Sequence, residues 1–369
     1  MRILYVINSV EGGGAALPVP AVVRVLEENG ASVEILALTR RDGRALGAMR
    51  EAGLSVRVRD GGERDHFAAF SWLDRQVELS RPDLIWTSLT RATLLGQQVG
   101  RRRGAPVVSW QHNAFLKPAN RILLRATQGL TGLWVCDSES VAALTAQRLG
   151  VEPDRLAIWP LFAADPDAPR AQPWRRGERL QLGSLGRLHP AKGYDVLIAA
   201  LAHMRAAGFR PPVPFSIAIA GDGHARAQLE AALRNARIEN LQLQGFNGQP
   251  RAFLADLHLY LQPSRAEGLC IAAHEAMQAG LPTIVSSVGQ LAHSVEDRKT
   301  GLIVAPADPR ALANALMMLL ARPDGLAPMG AAARQRVLLR FGAQAFAAAG
   351  GEVFGRLTSG ILPAPTAPS

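Results

Sequence analysis

The chain has 369 residues, more than one ordinary hydrophobic core accommodates, so we expect two domains. Its composition, 48% hydrophobic and 20% charged, is that of a soluble globular protein. Two cysteines exclude a disulfide framework, and no apolar run reaches the ~18 residues of a membrane-spanning helix. We therefore expect a cytoplasmic protein.

The formal net charge of +10 is spread over both halves of the chain. Arginines cluster near residues 40–44, 101–103 and 170–179. A basic balance of this kind suits anionic partners such as phosphorylated substrates, acidic lipid or nucleic acid. Solvated arginine-rich faces without any partner are an equally good interpretation.

The predicted elements begin with a strand at Ile3–Asn8, followed by a glycine loop and a helix. Short apolar runs then alternate with longer helical patterns. The further strands predicted in the first half are Val33–Leu38, Leu84–Ser88, Pro106–Gln111 and Leu133–Asp137. Alternation of strands and helices predicts an α/β fold, with a parallel sheet covered on both faces.

The pattern breaks at Ala163–Arg179, which contains three prolines and no periodicity and is typical of an interdomain linker. Alternation then resumes. The strands predicted beyond the break are Leu180–Gly186, Phe215–Ala220, Leu241–Gln244, Leu257–Gln262, Thr283–Ser286 and Leu302–Val304. We thus predict a first domain at 1–165, a linker at 166–179, a second domain at 180–358 and a disordered tail at 359–369.

Two cations follow the first strand of the second half, in the segment "GSLGRLHPAKGYDV". Arg187 and Lys192 come after the strand end, and a helix begins near Asp195. Ligands of doubly wound sheets bind at the carboxyl ends of strands. Arginine binds phosphate oxygens in pairs and lysine acts as a point charge, so this segment is a candidate phosphate clamp.

Two glutamates lie in "SRAEGLCIAAHEAMQAGLPTIVS", Glu267 in a loop and Glu275 in the second turn of a predicted helix. Their separation along one short segment argues against an acid–base pair flanking a single bond. The amides of Gly268, Leu269 and Cys270 would be free at the helix N-terminus, where an anion is favoured. A phosphate between two hydroxyl-bearing groups describes a nucleotide sugar.

Together these segments resemble the C-terminal domain of retaining glycosyltransferases of family 4, from about Gly183 to Val304. The resemblance implies a GT-B fold: two Rossmann-like doubly wound domains facing across a cleft. It implies that Arg187 and Lys192 neutralise the donor diphosphate, that Glu267 contacts the sugar and that Glu275 contacts the ribose. Amides at Gly268–Cys270 would complete the donor site.

The first half resembles the same family more loosely. Gly13 and Gly14 follow the first strand and would let the backbone approach the donor phosphates. His112 follows a strand and matches a histidine that the family places beside the transferred sugar. The implied reaction moves a sugar from a UDP- or GDP-linked donor to a hydroxyl of a glycan or lipid-linked acceptor. Cell-envelope polysaccharide, lipopolysaccharide or glycolipid synthesis would be the setting.

Neither a metal nor a bound cofactor is expected, because no His/Cys cluster has ligand spacing and the nucleotide sugar is a co-substrate. Three alternatives remain. A nucleotide-sugar epimerase could use the same fold. An NADP-dependent oxidoreductase is suggested by Gly12–Gly14 with Arg40 and Arg41. A nucleic-acid binder is suggested by charge alone, and no motif supports it.

The segment 115–130 also has two interpretations. Ile122, Leu123, Ala126 and Leu130 fall along one helical stripe, with Lys117, Arg121 and Arg125 nearby. An interfacial helix in peripheral contact with the anionic inner face of the cytoplasmic membrane is one interpretation. A core-facing helix with polar outer residues is the other.

Overall fold

A computed structural model describes residues 1–113 and 115–359 of the protein. The chain divides into two compact units of similar size. The first unit consists of Met1–Ala163 together with the chain from Gln344 onward, and the second unit consists of Ala164–Ala343. The chain therefore crosses from one unit to the other twice.

The described part of the first unit contains one parallel sheet of seven strands. They are β1 (Arg2–Ser9), β2 (Ser32–Thr39), β3 (Val56–Val58), β4 (Leu84–Ser88), β5 (Val107–Gln111), β6 (Leu133–Cys136) and β7 (Leu156–Ile158). Their spatial order is β3-β2-β1-β4-β5-β6-β7, so the winding reverses between β1 and β4, as in a Rossmann-like sheet.

Helices cover both faces of this sheet. Those between its strands are α1 (Val19–Glu28), α2 (Ala45–Glu51), α3 (His66–Ser80), α4 (Thr90–Arg103), α5 (Pro118–Thr127) and α6 (Glu139–Leu149). In β1, Ile3, Tyr5 and Ile7 enter the cluster that includes α1 and α2. The alternate residues Leu4 and Val6 enter the cluster with α3 and α4. Burial on both faces explains why β1 is an almost unbroken apolar run.

The described second unit contains a parallel sheet of six strands. They are β8 (Leu180–Leu185), β9 (Phe215–Ala220), β10 (Leu241–Gly245), β11 (Leu259–Gln262), β12 (Thr283–Ser286) and β13 (Gly301–Val304). Their order, β10-β9-β8-β11-β12-β13, reverses between β8 and β11. The two doubly wound parallel sheets confirm the predicted α/β class.

The helices of the second unit are α7 (Tyr194–Ala206), α8 (Arg226–Ala236), α9 (Pro250–Ala255), α10 (Ile271–Gln278), α11 (Leu291–Ser294), α12 (Pro309–Leu320) and α13 (Leu326–Phe341). Leu259 and Leu261 of β11 pack into one core cluster with α7 and α12. Helix α10 packs against β11 and β12. The start of α10 therefore lies near the end of β11, where the predicted site residues are found.

The C-terminal helix α14 (Ala343–Thr358) corrects the predicted domain boundary. The prediction assigned it to the second domain, but it packs on the first unit, where the ring centroids of Phe346 and Trp159 are 5.4 Å apart. Gly350 brings the helix close: a Cβ there would lie 2.5 Å from the Trp159 ring and 2.6 Å from Val25. The helix thus completes the core of the first unit.

The predicted linker at 166–179 also differs from the structure, because it is attached to the second unit. The amide of Ala171 donates to the carbonyl of Ala279 over 2.8 Å. Ala168 is buried, and Trp174 packs against the core that contains α7 and α12. The proline content correctly predicted irregular backbone. The segment nevertheless packs along the second unit, and we call residues 166–179 the strap.

The predicted disordered tail, apart from Ser359, lies outside the described residues. Within residues 1–113 and 115–359, no helix combines the length and apolar character that crossing a membrane requires.

Candidate functional site

A tight turn carries Lys192 at the carboxyl end of β8. The chain leaves β8 through Gly186 and Arg187 and forms a 3₁₀ turn at Pro190–Lys192. Gly193 follows with φ +67°, and a Cβ there would lie 1.9 Å from the carbonyl oxygen of Pro263. Only glycine allows this turn to lie against the end of β11.

Arg265 joins this turn to the loop after β11. Its guanidinium binds both carboxylate oxygens of Asp195, each at 2.6 Å, and donates to the carbonyl of Pro190 at 2.9 Å. Its backbone amide donates to the carbonyl of Ala191 over 2.7 Å. A bidentate pair with two further hydrogen bonds holds the two segments in one arrangement.

Lys192 and Glu267 meet in a network of buried polar groups. The Lys192 Nζ lies 2.7 Å from Glu267 Oε1. The same oxygen accepts from Ser264 Oγ at 2.6 Å and from Gln262 Nε2 at 3.0 Å. Gln262 in turn accepts from the hydroxyl of Tyr260 at 2.7 Å. Three donors on one oxygen fix the carboxylate, so its position does not depend on a ligand.

Charge around the turn keeps Lys192 protonated. Burial is the largest single effect and would lower the pKa of Lys192. The charge and hydrogen bond of Glu267, together with the neighbouring Cys270 and Tyr194, outweigh burial, and the pKa is raised. At His189, burial and then the charges of His224, Arg187 and Lys192 lower the pKa. The turn is therefore electropositive, although the Glu267 carboxylate lies against it.

Helix α10 starts beside this pair. Cys270 precedes the helix in a left-handed conformation, with φ +64°. No described residue accepts a hydrogen bond from the backbone amides of Gly268, Leu269 or Cys270. Unpaired amides and the helix dipole favour an anion at this point. Burial raises the pKa of the Cys270 thiol, so this cysteine has no reactive character.

Glu275 lies in the second turn of α10, as predicted. It is half-buried, and its carboxylate receives no hydrogen bond from a described residue. Burial raises the pKa of its carboxyl, and the positive charge of Arg251 only partly opposes this. A half-buried carboxylate without a donor is available to a hydroxyl-bearing ligand.

Arg187 follows the end of β8 and is exposed. It makes no hydrogen bond or ion pair with any described residue, in contrast to Lys192. Its charge nevertheless contributes to lowering the pKa of His189. The structure thus brings Lys192 and Glu267 into contact, places the Gly268–Cys270 amides next in the chain, and leaves Arg187 unengaged nearby.

His112 belongs to the first unit and follows the end of β5. Its Nδ1 lies 3.0 Å from Asp137 Oδ1, and its Nε2 lies 2.7 Å from Ser88 Oγ. A carboxylate only accepts, so Nδ1 carries a proton and Nε2 accepts from Ser88 when the ring is neutral. Trp110 Nε1 also donates to Asp137 over 2.6 Å. The histidine is held in one orientation.

Gly13 and Gly14 form a turn after β1, also in the first unit. A Cβ on Gly13 would meet nothing nearer than Glu11 Cγ at 4.0 Å, so the protein itself does not require glycine there. Arg41, which the oxidoreductase interpretation invoked, forms ion pairs with Glu11 and Glu63. It is therefore already engaged by two carboxylates.

Sequence reasoning missed the partners that orient the site. Gln262 and Ser264 hold Glu267, and Tyr260 holds Gln262. Ser88 and Asp137 hold His112. Gln262 offered a signal, because it is a polar residue at the end of a fully buried strand. Ser88 and Asp137 lie at or just past the ends of β4 and β6, which flank β5 in the sheet. Strand order, which the sequence does not reveal, brings them together.

Within the described residues, no group of three or more His, Cys, Asp or Glu side chains could hold a metal ion. The absence of a metal requirement stays a prediction.

The two Rossmann-like sheets define the class of protein as a GT-B fold. HepE of Anabaena, solved in complex with UDP-glucose, superposes with a TM-score of 0.83 over 96% of this chain and 99% of that chain, at 19% identity. At this identity the likeness establishes the fold alone. The predicted GT-B architecture of two Rossmann-like domains is confirmed.

Two family models cover most of the chain. "Glycosyltransferase Family 4" matches residues 12–163, and "Glycosyl transferases group 1" matches residues 167–336. The chain belongs to the group 1 glycosyltransferases, which confirms the resemblance stated from its motifs.

Individual relatives agree with this family. The D-inositol 3-phosphate glycosyltransferase of Thermobispora bispora is 29% identical over 93% of this chain and 90% of its own length. The 2-deoxystreptamine glucosyltransferase of Streptomyces kanamyceticus is 31% identical over 55% of this chain and 54% of its own length. The chain spans about half the length of several curated relatives that it matches.

Proposed function

We propose that the protein transfers a sugar from a UDP- or GDP-linked donor to a hydroxyl of a glycan or lipid-linked acceptor. The observation that carries this proposal is the Lys192–Glu267 pair beside the unengaged amides of Gly268–Cys270. A cation and a helix start at the carboxyl ends of adjacent parallel strands suit a diphosphate. Family membership and the UDP-glucose complex of HepE support a nucleotide-sugar donor.

Lys192 can bind a phosphate without giving up Glu267. An ammonium group has three N–H donors, and among the described residues the Lys192 ammonium donates to Glu267 alone. The remaining donors are available to phosphate oxygens, and Glu267 Oε2 is not used by the three donors that hold Oε1. We assign that oxygen to a sugar hydroxyl, and Glu275 to a hydroxyl of the nucleotide ribose.

For the chemical step we propose displacement on the front face of the sugar, with retention of the anomeric configuration and no metal. The leaving diphosphate takes the proton of the acceptor hydroxyl. Arg187, Lys192 and the Gly268–Cys270 amides stabilise the charge that develops on it, which is where most of the rate gain arises. Proton magnetic resonance of the product's anomeric centre tests retention, because an inverted product contradicts this step.

A direct test of the function starts from a panel of UDP- and GDP-sugars, ranked by the thermal shift that each produces. Release of nucleoside diphosphate from the best donor is then followed in Lys192→Ala. Loss of a preorganised charge should lower kcat by at least about 100-fold. Arg176→Ala is the matched control, because that arginine is exposed and lies on the strap.

Wild-type turnover in a folded Lys192→Ala protein would refute the assignment. The same assay separates the alternatives, since an epimerase converts the donor into a new epimer without an acceptor. An oxidoreductase would instead change nicotinamide absorbance. The Arg41 ion pairs and the family match both weigh against the oxidoreductase.

We further propose that α5 brings the protein to an anionic membrane surface, where a lipid-linked acceptor in envelope glycan synthesis would be found. Ile122 and Leu123 are 65% and 50% exposed, and Ala126 is exposed as well. Of the predicted apolar stripe, only Leu130 is buried. The core contact of the helix itself comes from Leu124, which was not part of that stripe. Exposed apolar side chains flanked by cations are typical of an interfacial helix.

A further inference from the structure

A cavity lies beside the second sheet, at the opposite ends of its strands from Lys192. Its volume is about 370 Å³, and its walls include His258 and Pro282, the residues just before β11 and β12. The strap residues 170–174 and the start of α13 close its other sides. It therefore opens at the amino ends of the strands, whereas the proposed donor site lies at their carboxyl ends. No part of the proposed reaction uses it.

The cavity wall carries a buried cation without a counter-ion. Arg334 is 7% exposed and donates to the carbonyls of Gln278 and Pro166. Its Nε has no hydrogen-bond partner, and no described carboxylate forms an ion pair with it. A buried guanidinium that only carbonyls solvate is costly.

A second arginine increases this excess of charge. Arg170 also lines the cavity, is exposed, and forms no ion pair with a described residue. Burial and the positive charge of Arg170 lower the pKa of Arg334, although Asp165 and Asp167 partly oppose this. Asp165 is itself paired with Arg251 at 2.8 Å. Two like charges at one wall are best matched by a dianion.

The remaining lining is apolar and includes an aromatic ring. Trp174 donates its indole N–H to the carbonyl of Glu178 over 2.9 Å, which fixes the ring in the strap. Leu257, Leu281 and Leu326 lie on other sides. The volume falls within the range of small-ligand sites, and an indole packs well on the C–H face of a sugar ring.

We propose that this cavity binds a phosphorylated monosaccharide, with the phosphate against Arg170 and Arg334 and the sugar ring against Trp174. A phosphomonoester carries close to two negative charges at neutral pH and binds guanidinium groups in pairs, so it fits the two arginines better than a carboxylate. The site is separate from the proposed donor site and does not depend on the proposed reaction. Helix α10 runs between them, because it starts at the donor-site amides and ends beside the cavity at Ala279.

Isothermal titration of the full chain with glucose 6-phosphate, inorganic phosphate and glucose tests this proposal. We expect the sugar phosphate to bind more tightly than either fragment. Arg170→Ala should weaken its binding roughly tenfold or more, since a charge-assisted contact is lost, and Trp174→Ala should weaken it as well. Arg176→Ala is the matched control on the same strap and should bind as the wild type does.

Three results would overturn the proposal. One is that none of the three probes produces a heat of binding. Another is binding that Arg170→Ala leaves unchanged. The third is binding that is lost in a folded Lys192→Ala protein, because that would place the ligand at the proposed donor site instead. Retained binding in Lys192→Ala, together with its loss in Arg170→Ala, supports a separate site.

Discussion

Glu275 is a residue at which ligand binding and stability oppose each other. Burial raises the pKa of its carboxyl above the ordinary value of 4.5. A carboxyl whose pKa is higher in the folded than in the unfolded state lowers stability once the unfolded chain ionises. This loss of stability is absent below pH 4.5, grows as the pH rises to the folded-state pKa of Glu275, and is constant above that pKa.

We therefore expect Glu275→Gln to raise the melting temperature of the ligand-free protein at neutral pH. The gain should shrink as the pH is lowered towards 4.5. Donor affinity should fall roughly tenfold, since a neutral amide replaces a charged acceptor. Differential scanning calorimetry and donor titration check the two effects, with the exposed Glu352→Gln as control. A lower melting temperature at neutral pH would contradict this interpretation of Glu275.

Helix α5 has an amphipathic sequence pattern, but its apolar face is exposed to solvent. Its sequence was equally compatible with a core-facing helix, because periodicity identifies a stripe and not the surface that covers it. In the structure Arg121, Ile122, Leu123, Arg125 and Ala126 are exposed, and Leu124 supplies the buried contact. The cations and the apolar side chains therefore share the outer surface.

Flotation with vesicles of phosphatidylglycerol and of phosphatidylcholine tests the proposed role of α5. We expect binding to the anionic vesicles that weakens with salt. Arg121→Glu with Arg125→Glu should lower this binding by about tenfold or more, at ~1 kcal/mol per basic residue. Ile122→Ser with Leu123→Ser should also lower it.

The exposed Phe67→Ser on α3 is the matched apolar control, because its side chain is 92% exposed in the same unit. Equal binding to both kinds of vesicle, or binding that the α5 variants leave unchanged, would show that α5 is not the membrane contact.

For the whole molecule, the unexpected feature is that the last helix completes the first unit. Phe346 is 5% exposed and contacts Trp159, which stacks on Trp110 at 5.0 Å between ring centroids. Phe346→Ala should lower the free energy of unfolding of the first unit by roughly 3–5 kcal/mol. Hydrogen exchange should accelerate in β1, β4 and β5.

Hydrogen exchange in β8 to β13 should change far less. The control Phe67→Ala alters an exposed phenylalanine of the first unit and should leave hydrogen exchange in both units unchanged. Faster exchange confined to the second unit would contradict the assignment of α14 to the first.

Much of this architecture was predictable from local pattern. The predicted strands from Ile3–Asn8 to Leu302–Val304 each correspond to an observed strand. Most of them are buried, continuous apolar runs, whereas β10 alternates leucines with exposed glutamines. The two strands that were missed, β3 and β7, have three residues each and lie at the edges of the first sheet. At an edge only one neighbour pairs, and the half-exposed residues of such short strands carry no clear periodicity.

Long-range contacts were the part that local pattern could not supply. The helical pattern of α14 says nothing about which core Phe346 joins, and the prolines of the strap do not reveal its hydrogen bond to Ala279. At the site, motifs identified Lys192 and Glu267, but their contact depends on β8 and β11 being neighbours. Asp137 reaches His112 for a similar reason, because β5 and β6 are neighbours in the first sheet, whereas Gln262 lies only five residues before Glu267 in the chain.

The most direct test of the central claim is a crystal structure of the protein with bound UDP or GDP, whichever gives the larger thermal shift. We predict that the diphosphate lies against the amides of Gly268–Cys270, with Lys192 Nζ within hydrogen-bond distance of a phosphate oxygen. A diphosphate bound elsewhere, with Lys192 still in contact only with Glu267, would contradict the claim.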